Sequence, residues 1–187
     1  MLSAKISIKH LYVDLFQHSL YDVGSLWETN KITVATEHLC TAITESLISL
    51  TYPYLFASEH IGKKAIIACT PGEYHQIGAR MVADYFELNG WDGYFLGANT
   101  PEDELIQFIT DQQPDLLAIS MSVFFSLPSL EKLTNNVCKQ FPNLIILLGG
   151  QGFIRGSEET FKAKENIYLL RSLDELDEKI FKPTSYA

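Results

Sequence analysis

The chain has 187 residues, 47% of them hydrophobic and 20% charged, with a formal net charge of -9. That is a globular balance, and the length suits one α/β domain of ordinary size with something smaller attached. An acidic chain repels phosphate backbones and anionic lipid, and there is no Lys/Arg cluster to build a basic face, so no direct nucleic-acid binding is expected. No apolar run reaches the length of a membrane span, and no basic segment leads into an apolar core at the N-terminus. A cytoplasmic location without a membrane partner is therefore expected. Cys40, Cys69 and Cys138 are odd in number, far apart and form no Cys-x-x-Cys, which excludes a disulfide framework and a thiolate zinc site. Free buried thiols in a reducing compartment are expected.

Residues 1–60 read as helical. Over residues 6–27 the apolar positions Ile8, Leu11, Leu15, Leu20, Val23, Leu26 and Trp27 fall mostly three and four apart, the period of one helix face. Asn30-Lys31 reads as a turn. Thr33 can cap a second helix, although Thr36 stands where a complete capping box has Glu. That helix is expected to run towards Ala57 with Leu39, Ala42, Ile43, Ser46, Leu47 and Leu50 inward and a bend at Pro53.

After Gly62 the period changes. Ala65-Ile66-Ile67-Ala68-Cys69 is a short continuous apolar run, as in a central parallel strand. Further strands are predicted at 94–96, 116–120, 144–148 and 167–170. Helices are predicted at 75–89, from Thr100-Pro101-Glu102 with Pro in the first turn, at 128–140 and at 172–181. Strands alternating with crossover helices predict a five-stranded, doubly wound, flavodoxin-like parallel sheet over 61–187, preceded by a short helical cap over 1–60. Ligands bind such sheets at the carboxyl ends of the strands, near the switch in strand order.

The segment Thr70-Pro71-Gly72-Glu73-Tyr74-His75-Gln76-Ile77-Gly78 follows the first strand, at that ligand-binding end. It matches neither a dinucleotide fingerprint nor a P-loop. It offers a carboxylate two residues before an imidazole, and metal-bound histidines usually donate their second ring N–H to an oxygen partner. Taken alone, the fragment reads more readily as a surface Glu and His in a connecting loop, since a lone His is a weak metal signal.

Glu73-x-His75-x-x-Gly78 resembles the Asp-x-His-x-x-Gly loop of cobalamin-binding domains. That family's further signatures, Ser-x-hydrophobic and Gly-Gly, are matched by Ser120-Met121-Ser122 and Gly149-Gly150. Forty-one residues lie between Gly78 and Ser120, and twenty-six run from Val123 through Leu148. The resemblance implies His75 as the lower axial ligand to cobalt, hydrogen-bonded by Glu73. It implies Ser120 and Ser122 lining a slot for the nucleotide tail, and Gly149 and Gly150 leaving room for that tail. Glu73 is one methylene longer than the family's Asp, which implies a looser bond to His75. Ser122 replaces a hydrophobic residue, which implies a wetter slot.

Trp27, then nine residues, then Glu37-His38 resembles the upper-face signature of cobalamin-dependent photoreceptors related to MerR-type repressors. There the aromatic plane shields the cobalt–carbon bond while Glu and His meet the adenosyl group. On composition alone Trp27 would be core, and Glu37 a carboxylate favoured by a helix N-terminus. The cap reads as short for a four-helix bundle, and no DNA-binding domain is expected before it.

The resemblance implies a cobalamin-binding sensor that is not an enzyme. Adenosylcobalamin is the first choice of cofactor and methylcobalamin the second, and the output would be a separate protein or a homo-oligomer. The alternatives are a corrinoid carrier of a methyltransferase system, or a related domain that has lost cobalamin or holds another tetrapyrrole. His10 and His18, eight apart, read as structural, and His60 carries no reading. The photoreceptors place a His directly after the Trp, where this chain has Glu28. The visible spectrum after illumination is therefore expected to lack the bis-His cobalamin form. Its appearance would contradict this, unless His38 or His18 replaces the missing ligand.

Overall fold

The computed structural model describes residues 6–56, 58–155, 160–161 and 164–182. The chain forms two compact units, Met1–Ala57 and Ser58–Ala187.

In the first unit, Ser7 caps α1 (Ile8–His10) by accepting the His10 N–H. The helix continues through a π-helical segment (Leu11–Gln17) into α2 (His18–Glu28). Asn30, with φ +57°, turns the chain. Thr33 caps α3 (Val34–Ser49) through the Thr36 N–H, as the sequence predicts. The α3 helix ends before Pro53 and does not bend at it. Pro53 instead sits in the first turn of the short α4 (Tyr52–Leu55), where its missing N–H costs nothing. Ala57 lies outside the described residues.

The inward face expected for α3 is not the buried one. Leu39, Ile43, Leu47 and Leu50 are exposed, while Thr44 and Ile48 are buried, followed by Thr51 and Leu55. Two apolar stripes share this helix, and periodicity reveals a stripe without saying which one is covered. Thr44 tolerates burial because its hydroxyl donates to the Cys40 carbonyl, and Thr51 because its hydroxyl meets that of the buried Tyr12 at 2.8 Å. Along the first helix Ile8, Tyr12 and Phe16 are buried, whereas Leu15, Leu26 and Trp27 are exposed.

The second unit is a parallel sheet of five strands in the order β2-β1-β3-β4-β5. The strands are β1 (Lys64–Cys69), β2 (Asp92–Phe95), β3 (Leu116–Ser120), β4 (Ile145–Gly149) and β5 (Ile167–Leu169). They are connected by α5 (Ile77–Leu88), α6 (Glu102–Gln112) and α7 (Leu127–Gln140), and the unit closes with α8 (Leu173–Leu176) and a π-helical turn (Asp177–Phe181). This is the doubly wound sheet that the sequence predicts. Alternate strand residues serve opposite faces. Ile66, Leu117, Ile119, Ile146 and Leu148 pack with Leu105 and Ile109 of α6 and Leu130, Leu133 and Val137 of α7. Ala65, Ile67, Cys69, Leu116, Ala118 and Leu147 pack with Ala79, Ala83 and Phe86 of α5 and Leu176 of α8. Each buried Ile or Leu contributes about 1.5–3 kcal/mol over its exposed state.

Several boundaries differ from expectation by one or two residues, and two of them have an identifiable cause. β2 starts at Asp92, because the Asp92 N–H donates to the Lys63 carbonyl and the Gly93 N–H to the Glu87 carboxylate, which gives weak strand formers fixed partners. Pro101 is the N-cap of α6 and lies outside its first turn, which is acidic and suits the helix dipole.

At the carboxyl edge, Cys69, Ser120 and Gly149 stand in one register row across β1, β3 and β4. Gly150 follows at φ +111°, and a Cβ there would lie 2.4 Å from the Met121 carbonyl oxygen. Both the backbone strain and the backbone clash resist a side chain. Gly150→Ala should therefore lower unfolding stability by about 3 kcal/mol, read as a fall in the urea midpoint at constant slope.

Candidate functional site

β1 and β3 are the central neighbours between which the strand order reverses, and the loops after them meet. Thr70, directly after β1, donates its N–H and its hydroxyl to the Ser120 carbonyl at 2.9 and 3.0 Å. The chain then turns through Gly72, at φ +83°. Glu73 drops its side chain inward and is 2% exposed.

The Glu73 carboxylate accepts five N–H groups. Oε1 takes those of Tyr74 and His75 and the His75 ring Nδ1, the last at 2.5 Å. Oε2 takes the backbone N–H groups of Ser122 and Val123 at 3.1 and 2.9 Å. Burial opposes the charge on Glu73, but the hydrogen bonds from His75 and Val123 outweigh it and hold the carboxyl down at about 2. An ionised carboxylate can only accept, so Nδ1 of His75 carries a proton, and in the neutral ring the lone pair is then on Nε2. The His75 side chain is 66% exposed. Burial, and next the charge on Glu73, push the Cys69 thiol up to about 12. Of the three free cysteines only Cys69 is buried, so the expectation of buried thiols fails for Cys40 and Cys138.

The bond to His75 is short, not loose as the longer side chain implies. The extra methylene lets one carboxylate span from its own loop to the next. Glu73, His75, Ser122 and Val123 are thus brought together, with Ser120 and Gly149 beside them in the strand-end row. Gly78 lies in the first turn of α5, and among the described residues no atom beyond its chain neighbours and its own helix backbone lies within 4 Å of a Cβ built on it. The glycines at 149 and 150 have an internal cause: a Cβ would meet the Leu170 carbonyl at 3.1 Å and the Met121 backbone at 2.4 Å. Among the described residues the hydroxyls of Ser120 and Ser122 have no hydrogen-bond partner. In the first unit Trp27 is in the last turn of α2, and Glu37 and His38 are in the first turns of α3. Glu37 accepts from the Thr41 hydroxyl and lies 3.6 Å from the His38 ring.

Exposed aromatic residues beside these loops escape sequence reasoning: Tyr74, Phe124 and Phe125. Their one signal is an aromatic residue in a connecting loop. Asn99, which bonds the His75 loop, also escapes it. His10, His18 and His60 hydrogen-bond to the Ser7 hydroxyl, the Val13 carbonyl and Asp92, respectively.

A sequence model described as a B12 binding domain matches residues 63–169, more than half of the chain. The chain belongs to the B12 binding domain family. A second B12 binding domain model matches residues 1–51. The chain is 27% identical over 128 residues to the HTH-type transcriptional repressor CarA of Myxococcus xanthus, covering 65% of this chain and 42% of the repressor. It is 28% identical over 133 residues to the repressor CarH of the same organism, covering 70% and 44%. The chain thus spans less than half the length of these curated relatives. In structure it is similar to the Methanosarcina barkeri monomethylamine corrinoid protein, with a TM-score of 0.79 at 16% identity over 93% of this chain and 82% of that one.

Membership in the B12 binding domain family implies a cobalamin cofactor, and the residues fit one. A single imidazole whose side chain is 66% exposed, turned by Glu73 through Nδ1, suits a metal that brings its other ligands in a macrocycle. Among the described residues no group of three or more His, Cys, Asp or Glu could hold an ion unaided. Among the described residues, open space at Gly78 and hydroxyls without partners at Ser120 and Ser122 leave room and partners for a polar ligand.

Glu73 links stability to pH. Its folded pKa lies below the ordinary 4.5, so its contribution is present above that value and disappears as pH falls through about 2. Glu73→Gln replaces an acceptor oxygen with an NH2 that faces N–H donors. Urea unfolding at neutral pH should show a loss of about 3 kcal/mol, and the gap between the two proteins should shrink as pH drops below 4.5 towards 2.

Proposed function

We propose that this protein is a cobalamin-binding sensor in which His75 Nε2 is the lower axial ligand to cobalt, with adenosylcobalamin as the light-sensitive form. The observation that carries the ligand role is the buried, ionised Glu73 bonded to Nδ1. That bond fixes the ring, selects the tautomer and makes Nε2 a better donor. When bound, the cofactor supplies a cobalt–carbon bond that light can break. Ser120, Ser122 and the open flank of Gly78 are the groups offered to the nucleotide tail, and Tyr74, Phe124 and Phe125 offer apolar cover.

The sensor reading draws on the similarity to two repressors and on Trp27, Glu37 and His38, for which we propose roles towards the upper ligand. Trp27 is 47% exposed, so its ring remains available to a ligand and does not fill a core. The acidic chain offers no basic face, and the proposed output is assembly with itself or with a separate protein, without direct contact to nucleic acid.

A carrier of methyl groups on a corrinoid is the second reading. It is favoured by the extent of the structural match to the monomethylamine corrinoid protein, which covers most of both chains.

The test is to load the protein separately with adenosyl-, methyl- and hydroxocobalamin and to record visible spectra in the dark and after light. The sensor reading expects adenosylcobalamin to be retained and light to change both the spectrum and the oligomer size. Retention of methylcobalamin with methyl transfer to a partner, and no light-dependent assembly, would favour the carrier. His75→Ala should abolish the His-on spectrum of every form, and an unaltered spectrum would overturn the axial-ligand assignment.

A further inference from the structure

Glu73 orients the His75 ring, but a ring is only as well placed as the peptide that bears it. The loop between β2 and α6 contains Gly97-Ala98-Asn99-Thr100-Pro101. Asn99 is in the left-handed region at φ +52°, which Asn enters more readily than most residues. From there it bonds three consecutive residues of the β1 loop. Its backbone N–H donates to the Glu73 carbonyl at 3.0 Å. Its Oδ1 accepts the Gly72 N–H at 2.9 Å, and its Nδ2 donates to the Tyr74 hydroxyl at 3.3 Å. The bonded residues 72, 73 and 74 immediately precede His75.

We infer that Asn99 is a positioning residue for His75. It fixes where the loop stands above the sheet, while Glu73 fixes how the ring is turned. The two act on different coordinates. The Glu73 side chain ties the loop towards β3, and Asn99 ties it towards β2, so the loop is held from both neighbouring strands. Asn99 acts through the peptide and needs no contact with cobalamin. The inference rests on the reading of His75 as the axial ligand.

Asn99→Gly keeps the left-handed backbone available and removes only the two side-chain bonds. Asn99→Asp keeps the acceptor for the Gly72 N–H and can accept from the Tyr74 hydroxyl. With hydroxocobalamin as the probe, Asn99→Gly should lower the His-on share of the spectrum and weaken cobalamin retention by about 10-fold or more, the usual range for a lost supporting partner. Asn99→Asp should restore both. Without cobalamin, amide exchange at residues 72–75 should quicken in Asn99→Gly while β1 and β3 stay protected.

A wild-type spectrum and retention in Asn99→Gly, alongside loss of the His-on form in His75→Ala, would overturn the inference and leave the ligand reading standing. Equal losses in the Gly and Asp variants would overturn it too, since Asp keeps the acceptor. Should Asn99→Gly expose β1 and β3 to exchange, the Asp variant decides: a wild-type spectrum supports the inference and a lost one refutes it. An unchanged spectrum in His75→Ala would fell the axial-ligand reading instead, and the exchange at 72–75 would still report whether Asn99 holds the loop.

Discussion

A carboxylate removed from water must be surrounded by donors or it will take up a proton. Glu73 is surrounded by five N–H groups, and the placing of the His75 ring and the link between the two central loops follow from where those donors come from. Three belong to its own loop and bend that loop back over the strand end. Two belong to the loop after β3 and close the gap at the centre of the sheet. Because the carboxylate is saturated with donors it stays ionised, and because it stays ionised His75 is locked into one tautomer. One buried charge thus sets the backbone, the connection between loops and the chemistry of the imidazole together.

That arrangement is available only at this place in this topology. In a doubly wound sheet the connections after β1 and β3 run to opposite faces of the sheet, so a crevice opens above the point where their first residues meet. Thr70 bridges the floor of that crevice to the Ser120 carbonyl, and Glu73 bridges it higher up. The Met121 backbone is pressed against Gly150, which carries the same rigid frame across to β4. An imidazole on this frame has little freedom, a precondition for binding a ligand without a large ordering cost.

The sheet was legible in the sequence because its central strands β1, β3 and β4 are buried on both faces, and a continuous apolar run such as Leu116-Leu117-Ala118-Ile119, too short for a helix, suits a central strand. The edge strand β2 was legible only in part, since Asp92 and Gly93 join it through nonlocal partners. The helical unit was legible as helices and not as packing. Thr33 announced a cap, but the choice between the Leu39–Ile43–Leu47 stripe and the Thr44–Ile48 stripe depends on what lies opposite, which one helix cannot encode. In the site, the short-range pair Glu73 and His75 could be read directly. The reach of Glu73 to residues 122 and 123, and the grip of Asn99, could not, because spacing along a chain says nothing about which loops will face each other.

The link from Glu73 to the β3 loop has one property that bears on how this sequence can drift. Both of its bonds there go to main-chain N–H groups, at Ser122 and Val123, and neither uses a side chain. A peptide N–H is supplied by every residue except proline. The bridge is therefore indifferent to what position 122 carries. A serine can stand at 122 without loosening the histidine, and a side chain at 122 or 123 can change while the clamp on the main chain stays the same.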